Sequence, residues 1–241
     1  LIDQVELGTD PELPEPPPVA VYPVENPEPI IRAVPQDRPM LLAGDEGMVV
    51  ATFKRYPGQT LPFIDSYLEG GLALIEKAEA GKQAGDAHPD AQQSFRMGIR
   101  FAKLADTAFG GTDFSDYANA FASWSPSEQK SFREGQRLFK EGMKLAKDEP
   151  AKAIDTLGRS LRLAESLNDT WGQIMAQGAL AELFLAAGGE EQAAKAEQSA
   201  RAAVTLSRKV RLDEDRVSAL RVHAKAIGAL GGKAEARATP L

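Results

Sequence analysis

The chain has 241 residues, 43% of them apolar, and a formal net charge of −7 at pH 7. That length and apolar content suffice for a buried core, and the composition is typical of a globular protein. An acidic chain is a poor match for a phosphate backbone, so nucleic acid is excluded as the main partner. The sequence has no cysteine, which excludes disulfides, thiolate catalysis and cysteine-ligated metal centres.

No apolar run approaches the roughly 20 residues that a membrane-spanning helix needs, so no span is predicted in this chain. Because the sequence begins at Leu1 rather than at methionine, we expect something upstream of Leu1: a signal peptide, a membrane anchor, or further chain that this sequence does not include. The lack of cysteine suits an oxidising compartment. Together these features favour a location in the bacterial periplasm or in a membrane-associated complex.

Residues 1–46 form an acidic, proline-rich segment. Ten of the 16 prolines lie there, with two basic and ten acidic residues, a net charge of −8. Proline fixes its own φ and biases the preceding residue toward extended backbone, which excludes a helix or a central strand. We therefore expect an extended arm.

The arm has two interpretations, a solvated linker or a docking arm. Its composition is typical of a linker. Its apolar residues, however, could anchor it on its own helical domain or on another protein subunit, and we favour docking. The candidate partner-binding residues of the arm are Val19, Val21, Tyr22, Val24, Ile30, Ile31 and Val34.

Two segments follow the arm. Residues 47–60, which include "GMVVATFKRYPGQ", are rich in β-branched residues and close on a Pro-Gly turn, so they are predicted to be a short strand and turn. Residues 61–123 carry apolar residues at helical spacing, interrupted by "GDAHPD" and by Gly110-Gly111. These residues are predicted to form the N-terminal helices.

Residues 124–241 begin with a strong helix start and contain a repeat. Ser125, followed by proline and then by Glu128, has the pattern of a capping box. Gly188-Gly189 recurs 43 residues later as Gly231-Gly232, and apolar residues that precede the first glycine pair recur before the second with the same period. A period of 20–50 residues indicates a stacked helical array, and the last unit is expected to be a half repeat.

The stretch "SLRLAESLNDTWGQIMAQGALAELFLAAGGEEQAAKAEQSA" resembles the tetratricopeptide repeat in a longer variant of about 40–43 residues, over about 126–232. Small residues stand where two helices approach, and Phe184 and Gly188 follow at the expected places. Glu197 departs from the pattern, because a large apolar residue is expected there. The resemblance implies a scaffold whose concave groove binds polypeptides. The predicted fold is all-α, a short α-solenoid of antiparallel helix pairs with the extended arm and at most one short strand.

The sequence offers no catalytic constellation. His88 and His223 are the only histidines, one in a turn and one on a helix, and Gly44-Asp45-Glu46-Gly47 lacks the Lys-Ser/Thr of a phosphate loop. The chain is therefore predicted to be no enzyme and to need no cofactor or metal.

Two sets of residues on the repeats are candidate binding residues. Trp171 either packs at a helix junction or lines the groove. The charge-dense segment around residue 211 is either a solvated helix face with local ion pairs or a basic patch for an acidic partner, which could be the protein's own arm. The repeat-face candidates are Trp171, Arg208, Lys209, Arg211, Arg216 and Arg221.

Two functions fit these observations. The favoured one is a non-enzymatic helical-repeat scaffold or accessory subunit of a larger assembly, docked on other protein subunits by its arm and presenting a helical groove. The alternative is a stand-alone peptide- or ligand-binding repeat domain whose arm folds onto its own groove.

Overall fold

A computed structural model describes residues 46–81 and 87–231, and nearly all of them are helical. Within these two ranges there are nine α-helices and no strand, which confirms the all-α prediction. A single 3-10 turn, η1 (Pro57–Gln59), links the first two helices. The helices are α1 (Glu46–Arg55), α2 (Thr60–Gly81), α3 (Ala87–Phe109), α4 (Asp113–Ser123), α5 (Pro126–Leu145), α6 (Pro150–Ser166), α7 (Thr170–Ala187), α8 (Glu190–Lys209) and α9 (Asp213–Ala229).

The prediction of a strand and turn over 47–60 was wrong, because this segment is α1 and η1. Val49 and Phe53, four residues apart, share one helix face and are 2% and 5% exposed. Glu46 in the first turn and the bases of the last turn oppose the helix dipole favourably. A β-branched residue costs a helix only a few tenths of a kcal/mol, and the burial of two apolar side chains outweighs that.

The N-terminal helices form the predicted helical block. α2 packs along α3, α1 and α4 lie against α3, and α4 also contacts α2. The core of this N-terminal block is aromatic. The rings of Phe63 and Phe101 meet edge to face with centroids 4.9 Å apart, and Tyr67 packs against both. The arm, residues 1–46 as predicted, lies outside the described residues except for Glu46, which begins α1.

The 43-residue period is visible in the backbone. Asn168 and Arg211, separated by one period, end α6 and α8 with positive φ of 54° and 59°. In each case the backbone amide of the following residue donates to the carbonyl five residues earlier. These bonds run from Asp169 N to Ala164 O at 2.9 Å and from Leu212 N to Ser207 O at 3.0 Å. These bonds are those of the Schellman motif, which satisfies the last carbonyls of a helix.

The helices from α5 onward stack as the period predicts. The capping box of Ser125 with Glu128 is present and starts α5. α5 pairs with α6 and α7 with α8, while α9 packs on α8 and on α7 and begins a third unit. Gly188 and Gly231, one period apart, follow α7 and α9 with φ of 71° and 83°. The described fold is therefore a solenoid-like array of packed helix pairs.

Glu197, the departure from the repeat pattern, has a structural explanation. Its carboxylate lies 2.9 Å from Nε2 of His223, whose side chain is 9% exposed, and it also accepts a hydrogen bond from Arg201. A polar bridge between α8 and α9 thus replaces the apolar contact expected there.

The array meets the N-terminal helices along the edge where α4, α6 and α8 end. Trp124, Leu167 and Val210 lie at these three ends at intervals of 43 residues, and all three are buried. Trp124 donates a hydrogen bond from Nε1 to the carbonyl of Leu167 at 3.2 Å. At the third end the guanidinium of Arg211 lies 5.3 Å from the ring centre of Phe109, the last residue of α3.

We expect Gly142→Ala to destabilise the array by about 1–2 kcal/mol, since overpacking a core typically costs 1–3 and better helix propensity returns part of it. A Cβ at Gly142 would lie 2.6 Å from Cγ of Leu157, which is fully buried on α6 and cannot swing away. Gly70→Ala is the matched control, because nothing lies within 4 Å of its added Cβ. Urea unfolding should show a gain of about 0.5–1 kcal/mol for the control; a gain for both variants would contradict the close approach of α5 and α6.

Candidate binding groove

A cavity of about 360 Å³ opens between the N-terminal helices and the first two repeats. α2 and α4 supply one side, α5 and α6 another, and the start of α7 closes it. Most of its wall is apolar or aromatic, with Phe139 from α5, Leu163 from α6 and Trp171 from α7, all of them only half-buried. A concave apolar wall with a few polar groups is the usual form of a binding site.

A second hollow, of about 150 Å³, continues from the first along α5, α7 and α9. Phe139 and Met175 line both hollows, so the two hollows together form one groove. Two exposed methionines stand in it, Met175 at 37% and Met143 at 46%. Alternate helices of the array, the first of each pair, therefore share one apolar surface, which we call the groove.

Asp65 and Tyr117 lie at the inner end of the groove. Both are buried, at 7% and 4% exposure, and the Tyr117 hydroxyl donates a short hydrogen bond to Oδ1 of Asp65. Burial raises the pKa of Asp65 to about 7, with smaller contributions from the negative charges of Glu69 and Asp169, while the bond from Tyr117 opposes the shift. The pKa of Tyr117 is also raised, first by burial and then by the charge of Asp65.

Asp169 is the second buried carboxyl of the groove. It caps α7 by accepting a hydrogen bond from the Gly172 amide at 3.0 Å, and it is 6% exposed. Burial raises its pKa to about 6 in spite of that bond. The negative charge of Asp169 adds to the rise of the Asp65 pKa, and the charge of Glu69 adds to the rise of the Asp169 pKa.

Glu69 and Arg133 connect α2 to α5 beside these carboxyls. Nη1 of Arg133 lies 2.8 Å from Glu69, and its Nε lies 2.8 Å from Glu76. Gln136 donates a further bond to Glu69. The charge of Arg133 is thus held by two carboxylates of α2.

The candidate binding residues of the repeats lie in different environments. Trp171 lines the groove and is half-buried there. Arg211 lies against Phe109, and Arg216 forms an ion pair with Asp213 at 3.0 Å. Arg208, Lys209 and Arg221 are exposed on α8 and α9. The seven arm residues from Val19 to Val34 lie outside the described residues.

Sequence reasoning missed the two buried carboxyls. Asp65 stands four residues after Leu61 and three before Leu68, on the same helix face as these fully buried leucines. A carboxyl within an apolar stripe was the available signal. Asp169 has the residue type and position of a helix N-cap, and that pattern does not indicate that its side chain also lines the groove.

No family model, no curated protein and no solved structure matches the chain. In the described ranges, no helix is both long and apolar enough to cross a bilayer. Among the same residues, no cluster of three or more histidine, aspartate or glutamate side chains is arranged to hold a metal ion. The class of this protein is therefore defined by its fold and its groove: it is an all-α, solenoid-like helical array with a concave apolar surface.

Proposed function

We propose that this protein is a non-enzymatic helical-repeat scaffold that holds a polypeptide segment of another subunit in the groove. The observation that carries the proposal is the groove itself, an apolar surface shared by α5, α7 and α9. Contiguous exposed apolar surface on a folded protein usually marks an interaction site. A furrow along helices suits an amphipathic segment laid along it.

The resemblance to the tetratricopeptide repeat supports the same proposal. The resemblance implies a concave groove that binds polypeptides, and here α5, α7 and α9, the first helices of successive pairs, line the groove. The period, the paired helices and the small residues between them agree with this assignment. The arm, residues 1–46, supplies a second contact in this proposal and ties the protein to an assembly in the periplasm or at a membrane.

A peptide-display selection tests the groove. A random 12-residue library is selected on the wild-type protein and counter-screened on Met175→Trp, in which a larger side chain fills the place where the two hollows meet. We expect the enriched peptides to lose at least tenfold in affinity for this variant. Met48→Trp is the matched control, because Met48 is an exposed methionine on α1 outside the groove.

Equal binding to wild type and to both variants would contradict the proposal. Circular dichroism of each variant confirms that the fold is intact, so loss of binding is not mistaken for loss of structure.

A further inference from the structure

Carboxyl groups stand at both ends of the groove, and they indicate what it holds. We propose that the bound segment is basic, an apolar stretch flanked by lysine or arginine on both sides and belonging to a partner protein. This inference rests on the proposed function and names the chemistry of its ligand.

The inner end supplies three carboxyls. Asp65, Glu69 and Asp169 line the first hollow from α2 and from the turn before α7. The nearest guanidinium, that of Arg133, forms ion pairs with Glu69 and Glu76. In the described part of the chain no ion pair includes Asp65 or Asp169; Arg133 acts on Asp65 without pairing with it, and the two carboxyls accept hydrogen bonds from Tyr117 and from the Gly172 amide.

The other end of the groove is also acidic, with carboxyl groups from α7 and α9. Glu182 and Asp215 line the second hollow, and Glu182 is exposed. Burial raises the pKa of the half-buried Asp215, and the neighbouring charge of Glu214 adds to the effect. Among the residues that line the two hollows, Lys140 is the one basic side chain, against five carboxyls.

The surface between the two ends suits an apolar stretch. Phe139, Met175 and Met143 lie there, and methionine thioethers adapt to side chains of different shape. Charge at the ends fixes the position of the segment while apolar contact supplies most of the affinity.

Charge complementarity also separates a partner from the protein's own arm. Residues 1–46 carry a net charge of −8, which is repelled by an acidic groove. The arm's own bases, Arg32 and Arg38, are outnumbered by ten acidic residues. The occupant is therefore a segment of another chain.

Binding of a cation has a consequence for pH dependence. The groups that face Asp65 are Tyr117 from α4, Glu69 from its own helix, Arg133 from α5 and Asp169. A lysine or arginine placed among them favours the ionised carboxyls, so it lowers both pKa values and binding releases protons. The affinity is expected to rise at least tenfold from pH 5.5 to pH 7.5.

The same display selection provides the test, now read by composition. We expect the peptides that bind wild type but not Met175→Trp to be enriched in lysine and arginine on both sides of an apolar core. Groove-dependent peptides that are neutral or acidic would overturn this inference and leave the proposed function standing. Recovery of no groove-dependent peptide would overturn both.

Fluorescence anisotropy of the most enriched basic peptide then locates its recognition. Asp65→Asn and Glu69→Gln should each weaken binding at pH 7.5 at least fivefold, and Asp65→Asn should also reduce the rise with pH. The controls are Asp116→Asn on α4 and Glu134→Gln on α5, exposed or half-exposed acids outside the groove. Equal effects of the groove and control variants would show attraction by overall charge alone and would overturn the inference.

Discussion

Replacing Trp124 by alanine is expected to lower the free energy of unfolding by about 3–5 kcal/mol, the usual cost of truncating a buried tryptophan. Its ring packs on Phe121 and Phe132, with centroids 4.2 and 4.9 Å away, and its Nε1 donates to the Leu167 carbonyl. One side chain thus joins α4, α5 and the end of α6. Urea unfolding followed by circular dichroism measures the loss.

Two matched variants divide that effect into its parts. Trp124→Phe keeps an aromatic ring but removes the donor to Leu167, and a cost of about 1–2 kcal/mol is expected for the lost hydrogen bond and the reduced burial. Trp171→Ala removes the chain's other tryptophan from the half-buried groove wall and should cost clearly less than Trp124→Ala. Similar losses for the two alanine variants would refute the role of Trp124 as the junction.

The second large effect is a gain in stability. Asp65 has a pKa of about 7 in the folded protein against 3.8 for an ordinary aspartate. The folded state therefore holds its proton more strongly than the unfolded state. The stability that this proton contributes is complete below about pH 4 and is lost as the pH rises through about 7.

Asp65→Asn removes that pH dependence while still accepting the hydrogen bond from Tyr117. We expect little change at pH 4 and a variant that is more stable than wild type by up to about 4 kcal/mol at pH 8, since one pKa unit corresponds to about 1.4 kcal/mol. Urea unfolding at pH 4, 6 and 8 measures the difference. A difference that stays constant or shrinks as the pH rises would disprove the burial of an ionisable carboxyl there.

A carboxyl that weakens the fold at neutral pH suggests a functional reason for its presence. The same substitution is expected to weaken the binding of basic peptides. A variant with higher stability and poorer binding would separate the two roles of Asp65 in a way that a structural residue could not imitate.

Much of the fold follows from local patterns in the sequence. The cap at Ser125, the helix breaks and the period of 43 residues depend on contacts close in the chain, so they were predictable. The error at 47–60 has a different origin. Val49 and Phe53 form a helix face because α2 and α3 are there to cover it, and a single-segment pattern does not contain that partner.

The groove was less predictable than the helices. Trp171 was a candidate because an aromatic residue at a helix junction can line a groove. The hydrogen bond between Asp65 and Tyr117 was not predictable in this way, because the two residues are 52 positions apart in the sequence. Their pKa shifts arise from burial and from charges that lie far apart in the sequence, such as Glu69 and Asp169, and no spacing rule predicts that these residues come together. In the charge-dense segment around Arg211, two of the bases make local contacts, Arg211 with the ring of Phe109 and Arg216 with Asp213.

The contact of Arg211 with Phe109 changes how this array holds together. A simple solenoid is an open chain of neighbours, and its terminal unit can unravel alone because only one interface secures it. Here α9 also touches η1, and the turn before it is pinned to the end of α3. Opening the third unit must break contacts with the first helices as well, so the two ends of the described chain protect each other. Such mutual protection favours one cooperative unfolding unit over independent repeats, and it keeps both walls of the groove in place until the whole array gives way.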